Sequence, residues 1–220
     1  SRDDGREPLL PKTRSEAWQF KVRPDAKQVR FGLPGLRLGY SRDATSSYFV
    51  FRTLREKGIL PADMRFQISI PMVNSVIRPL YFPTPGDVEK VRPGFEEALA
   101  AELDVILQRI PAKDLAIQWD CAHEVSEAYG AVKQVAQKDS IARSLPQMQA
   151  LCPGIPEDVQ LGIHLCFGTL GGWPRFVPDD LGEAVRLGNA LIEACGRRVD
   201  WIHVPVLDEA AFEALIIDPT

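Results

Sequence analysis

Val159-Gln160-Leu161-Gly162-Ile163-His164-Leu165-Cys166-Phe167-Gly168 is the stretch whose reading decides the fold. Side chains alternate across a strand, so Val159, Leu161 and Ile163 share one face and Gln160, Gly162, His164 and Cys166 the other. The segment is therefore a buried strand that ends in a polar His-x-Cys pair, with glycine turns beyond it. Imidazole and thiolate are both common zinc donors, which makes the pair a candidate part of a metal site. Two donors are not a site, and by itself the pair is more simply a small buried thiol beside a rim histidine.

Similar runs lie on both sides. Arg65-Phe66-Gln67-Ile68-Ser69-Ile70-Pro71 alternates as a strand and is ended by its proline; Leu115-Ala116-Ile117-Gln118-Trp119-Asp120 is a second strand, and 199–206 a later one. Between them lie helical patterns. Residues 41–58 have Ser41 or Asp43 as cap and Gly58 as stop. Residues 87–110 carry Phe95, Leu99, Leu103, Ile106 and Leu107 on one face, with Pro93 setting the first turns apart. Residues 125–151 are helical with a break near Pro146. A further helix runs from Asp179 or Asp180 to Cys195, stopped by Gly196, and a short one starts at Asp208. Strands separated by helices pair in parallel through right-handed crossovers. No glycine-rich phosphate loop follows any strand, so a dinucleotide fold is disfavoured. The pattern predicts an α/β chain, a (βα)8 TIM-type barrel that is incomplete here. Residues 1–28 form an extended, polar N-terminal arm and 29–220 the partial barrel.

Composition narrows the partners. The 220 residues are 45% hydrophobic and 25% charged, with a formal net charge of −4. This is the make-up of an ordinary globular domain, without the basic block that nucleic acid or anionic membrane would require. No apolar run approaches the roughly 20 residues of a spanning helix. The four cysteines, Cys121, Cys152, Cys166 and Cys195, read as free thiols of a reducing, cytoplasmic compartment. The expected partner is a small-molecule substrate. A sheet with open edges would also favour a homo-oligomer.

The three histidines, His123, His164 and His203, each fall at or just past the C-terminal end of an expected strand. In a parallel sheet that places them on one rim with Asp120, Glu124, Cys166 and Asp208. Asp120 and Glu124 are the candidate acid and base. Ser69, Trp119 and Trp201 are candidate substrate contacts, and Trp173 a further pocket residue.

RFQISIP, LAIQWDCAHE, GIHLCFG and VDWIHVPV, in this order, resemble the catalytic barrel of the cobalamin-independent methionine synthase family, whose superfamily includes uroporphyrinogen decarboxylase. The resemblance covers about residues 31–206 and only the middle of a full barrel. It implies that His164 and Cys166 are metal ligands, for zinc or iron, and that Asp120 holds a substrate amino group. His203 stands where the family has its glutamate ligand, which implies a His/Cys/His set. The family's reaction implies a zinc-bound thiolate and a folate-type methyl donor. Asp120-Cys121-Ala122 replaces the family's Asp-Glu-Pro, which implies a different substrate. A second reading is a metal-free decarboxylase or lyase whose substrate carboxylates meet Arg42, Arg78 or Arg175. A third is a non-catalytic binding protein on a degenerate barrel.

Overall fold

The structure is a computed structural model that describes residues 18–32, 38–132, 136–168 and 176–205. In chain order the helices and strands are α1 (Tyr40–Glu56), β1 (Phe66–Pro71), α2 (Val73–Val76), α3 (Asp87–Arg109), β2 (Leu115–Cys121), α4 (His123–Ala128), α5 (Gln137–Leu151), β3 (Gln160–Leu165), α6 (Gly182–Cys195) and β4 (Trp201–His203). The strands form one sheet in the order β1-β2-β3-β4. Every neighbouring pair is parallel.

This topology has a direct consequence for the two faces. Each strand lies one step further in the same direction, so right-handed crossovers put the intervening helices on a single face. That face is dry. Ile117, Trp119 and Cys121 of β2 and Leu161 and Ile163 of β3 are fully buried there, with Ile68 and Ile70 of β1 beside them. Each such side chain contributes about 1.5–3 kcal/mol by leaving water. Helix α6 comes so close that a Cβ on Gly188 would lie 2.6 Å from Ile202. The opposite face carries Ser69, Gln118, Asp120, Gly162, His164, Trp201 and His203. The α/β class with parallel strands is as the sequence predicts.

Arginines secure the N-terminal edge of the sheet. Arg65 Nη1 donates to the carbonyls of Ala112, Leu115 and Asp158, and Arg197 donates to those of Ile155, Pro156 and Val159. Asp114 accepts from Tyr48 Oη and Arg55 Nη2 of α1, both at 2.6 Å. The Arg55 guanidinium holds the Asp114 carboxyl below its usual range, against burial and with help from Tyr48.

Several local expectations change. Neither Ser41 nor Asp43 caps α1, which has no side-chain cap hydrogen bond from its own segment. Glu102 of α3 supplies it instead, accepting from the amides of Ser41 at 2.6 Å and Gly39 at 3.3 Å. Burial pushes the Glu102 carboxyl up, but these hydrogen bonds outweigh it and hold the group below its ordinary value. Pro93 does not set the first turns of α3 apart: the helix runs through it, because Val91, Phe95, Leu99, Leu103 and Ile106 anchor one continuous buried face. Pro146 likewise sits inside α5. The break in the 125–151 region lies before α5, after Gly130 takes a left-handed φ of 66°. Part of the expected arm, from Trp18 onward, straps across α3: the amide of Val29 donates to Lys90 O, and that of Val22 to Asp87. Gly94 permits this, since a Cβ there would fall 2.0 Å from the Val29 carbonyl.

Glu102→Ala should leave the buried Ser41 amide and the half-buried Gly39 amide at the α1 start without an acceptor. A loss of about 2 kcal/mol in urea unfolding is the expected result, with α1 fraying first in hydrogen exchange.

Candidate functional site

The polar face is ordered by register. Parallel pairing aligns Ser69, Gln118, Gly162 and Trp201 in one row across the sheet, and Pro71, Asp120, His164 and His203 in the next. The second row is nearer the C-terminal ends of the strands. Gln118, only 8% exposed, links the rows. Its Nε2 donates to Asp120 Oδ1 at 2.9 Å and to Ser69 Oγ at 3.2 Å, and its Oε1 accepts from Trp201 Nε1 at 3.4 Å. The Trp201 indole lies over Gly162, where an added Cβ would come within 1.9 Å of the ring. Glycine at 162 is thus a condition for the indole to reach Gln118.

In the upper row the His164 and His203 rings lie 5.1 Å apart, tilted by 55°. Burial lowers the His164 pKa; the Asp120 charge opposes that and His203 adds to it. The result is a neutral imidazole at pH 7. Its Nδ1 is buried and accepts no hydrogen bond from the described residues.

Not every candidate joins this face. Trp119 is fully buried and points to the helix side; its parity is opposite to that of Gln118 and Asp120, so it packs in the core instead of lining the pocket. His123 and Glu124 begin α4, behind the strand ends, and are almost completely buried. Arg78 Nη1 lies 3.0 Å from His123 Nδ1. A guanidinium can only donate, so Nδ1 accepts and the neutral ring carries its proton on Nε2, 3.4 Å from Glu127 Oε1. Ser75 Oγ donates to Glu124 Oε2 at 2.7 Å and accepts from the His123 amide. Burial pushes the Glu124 carboxyl up to about 7, against the pull of its hydrogen bonds. Arg42 is exposed and paired with Asp43; Trp173, Arg175 and Asp208 lie outside the described residues.

The metal expectation can be tested on donor geometry. Cys166 Sγ accepts the Gly168 amide at 3.3 Å, and the two imidazoles approach one another without a third donor. Among the described residues no three His, Cys, Asp or Glu side chains converge where one cation could sit. The described residues do not fit a zinc or iron site. All four cysteines are free. No helix among the described residues is long and apolar enough to cross a membrane. A cavity of about 700 Å³ lies under the strap, lined by Phe20, Phe31, Ile77, Phe82 and Phe95; it is almost wholly apolar and touches none of the polar row.

Gln118 and Gly162 escaped the sequence reading. A lone amide between Ile117 and Trp119 was the available signal for the first, and a glycine inside a strand for the second. Comparison of the chain with family models, characterised proteins and solved structures finds no match.

The Glu124 carboxyl makes a signed prediction. Its folded pKa, about 7, lies above the ordinary 4.5, so its favourable contribution is complete below pH 4.5 and is lost as pH rises through 7. Between those limits the native protein should lose about 3 kcal/mol relative to Glu124→Gln. Urea unfolding of both proteins at about pH 4.5 and about pH 8 measures the difference.

Proposed function

We propose that the four strands and their helices are consecutive units of a (βα)8 barrel wall, and that the polar face is the inner, substrate-bearing surface of an enzyme acting on a small polar molecule. The observation that carries this reading is the alignment of Asp120, His164 and His203 in one row near the C-terminal ends of adjacent parallel strands. Barrels and open parallel sheets place their ligands at that edge. The resemblance to the methionine synthase and uroporphyrinogen decarboxylase barrels supports the same reading, with Asp120 as the substrate-orienting carboxylate.

The chemistry follows from the side chains. Neutral His164 is a base: its lowered pKa keeps a lone pair available at pH 7, and a substrate proton can be taken there. Asp120, held by Gln118, orients a substrate amine or hydroxyl and stabilises the imidazolium formed on His164. Exposed His203 stands beside His164 at the solvent side and can pass that proton outward. A lyase-type proton transfer is the reaction class these groups serve best.

The histidines allow a test that needs no substrate. In NMR titration His164 should titrate below 6.5. Asp120→Asn should lower its pKa further, by removing the charge that supports protonation, and His203→Ala should raise it. If neither substitution moves the His164 titration, the row is not a coupled unit and the proposal fails. With a substrate in hand, Asp120→Asn and His164→Gln should each reduce kcat at least about 100-fold with the fold intact.

A further inference from the structure

A second group of charges lies on the helix side of the sheet, away from Asp120 and His164. Arg78, Arg92 and Arg143 all act on one buried carboxylate, Glu127. Arg143 Nη2 is 3.8 Å from Glu127 Oε1, beyond hydrogen-bond distance. Arg92 of α3 reaches Glu96 only at 3.4 Å, and its other terminal nitrogen donates to Asn74 Oδ1. The Nδ2 of Asn74, a residue only 2% exposed, is buried with no hydrogen-bond partner among the described residues. Arg92 and Arg143 face each other across a groove of about 300 Å³ between α3 and α5, lined also by Val73, Glu96, Pro146 and Gln147.

Three guanidiniums gather round two carboxylates here, Glu127 and Glu96, and Glu127 Oε2 is buried with no hydrogen-bond partner among the described residues. A guanidinium carries five N–H donors and no acceptor, and those of Arg143 make no hydrogen bond to a described residue. Glu127 shares its charge among three arginines, and burial pushes its carboxyl up against their pull. The other carboxylate in the groove, Glu96, is 45% exposed and so contributes little attraction. The Arg143 fork and the remaining donors of Arg92 line the groove, and a guanidinium can bind an oxyanion bidentately.

We propose that the groove between α3 and α5 is a binding site for a small oxyanion, the carboxylate or phosphate group of a small acid, held by Arg92 and Arg143. The site is distinct from the polar row and does not depend on the function assigned to it. Of its lining residues, Gln147 is fixed by Val73, whose amide donates to its Oε1 at 2.6 Å, so the groove floor is preorganised.

Titration calorimetry on the whole chain at low ionic strength, with inorganic phosphate in one arm and succinate in the other, tests this. Saturable binding of either acid, weakened at least 10-fold by Arg143→Gln, is the expected result; the arm that binds more tightly identifies the head group. Arg143 is largely on the surface, so this variant should fold. Glu96→Gln removes the competing carboxylate and should tighten binding about 3-fold. Asp120→Asn should leave it unchanged, which separates this site from the proposed catalytic one. No binding of either acid up to about 10 mM, or binding indifferent to both Arg143→Gln and Glu96→Gln, would overturn the proposal.

Discussion

Parallel strands that always step in one direction must send every right-handed crossover over the same face. In this chain that constraint divides the sheet into a dry side and a polar side, and most other features follow from the division. The dry side explains why β2 and β3 bury Ile117, Trp119, Leu161 and Ile163 completely. Among the described residues no helix covers the polar side, so Ser69, Asp120, His164 and His203 stay there without the cost of burial in hydrocarbon. A doubly wound sheet, with helices on both faces, would have sealed the same residues in.

Strand parity made much of this readable from the residues. The 159–168 stretch alternates without interruption, so the side carrying His164 and the side carrying Ile163 could be told apart before any coordinates. Asp120 and His203 fall on the same rim by their position at the C-terminal ends of expected strands. Trp119 marks the limit of nearness to the rim as a guide: parity decides, since a residue one step from Asp120 must point the other way. The caps were less legible. Glu102 serves Ser41 and Gly39 from more than sixty positions along the chain, and no local pattern announces such a partner. Pro93 and Pro146 misled for a related reason, because tertiary anchoring of the buried helix face outweighs one lost backbone bond.

His164 and His203 sit on strands, whereas His123 sits at the start of a helix, and their surroundings sort them further. Arg78 fixes the His123 tautomer from one side, and the Glu127 carboxylate lies 3.4 Å from its other nitrogen, which suits a structural imidazole. His164 keeps Nδ1 without such an assignment and has a second imidazole beside it. Three histidines that look equivalent by their distance from strand ends therefore divide into one held and two available. Glu124 and Asp120 divide in the same way: one is closed in behind Ser75, and the other is presented by Gln118 on the polar face.

The two polar centres nevertheless share a support. The carbonyl of Asp120 accepts the amide of Met72 at 3.0 Å, and the next amide, Val73, is held by Gln147 of α5. Gln147 also lines the α3–α5 groove, and its Nε2 lies 3.5 Å from Pro71 O. One short turn, Pro71 to Val73, is thus fastened on one side to the backbone of the residue that heads the polar row and on the other to the floor of the arginine groove. Backbone bonds of this kind are stiff and cannot be given up without leaving buried amides unpaired. The turn fixes the position of Asp120 relative to α5, which is the physical reason that a site built on strand ends can keep its geometry on a face that no described helix covers.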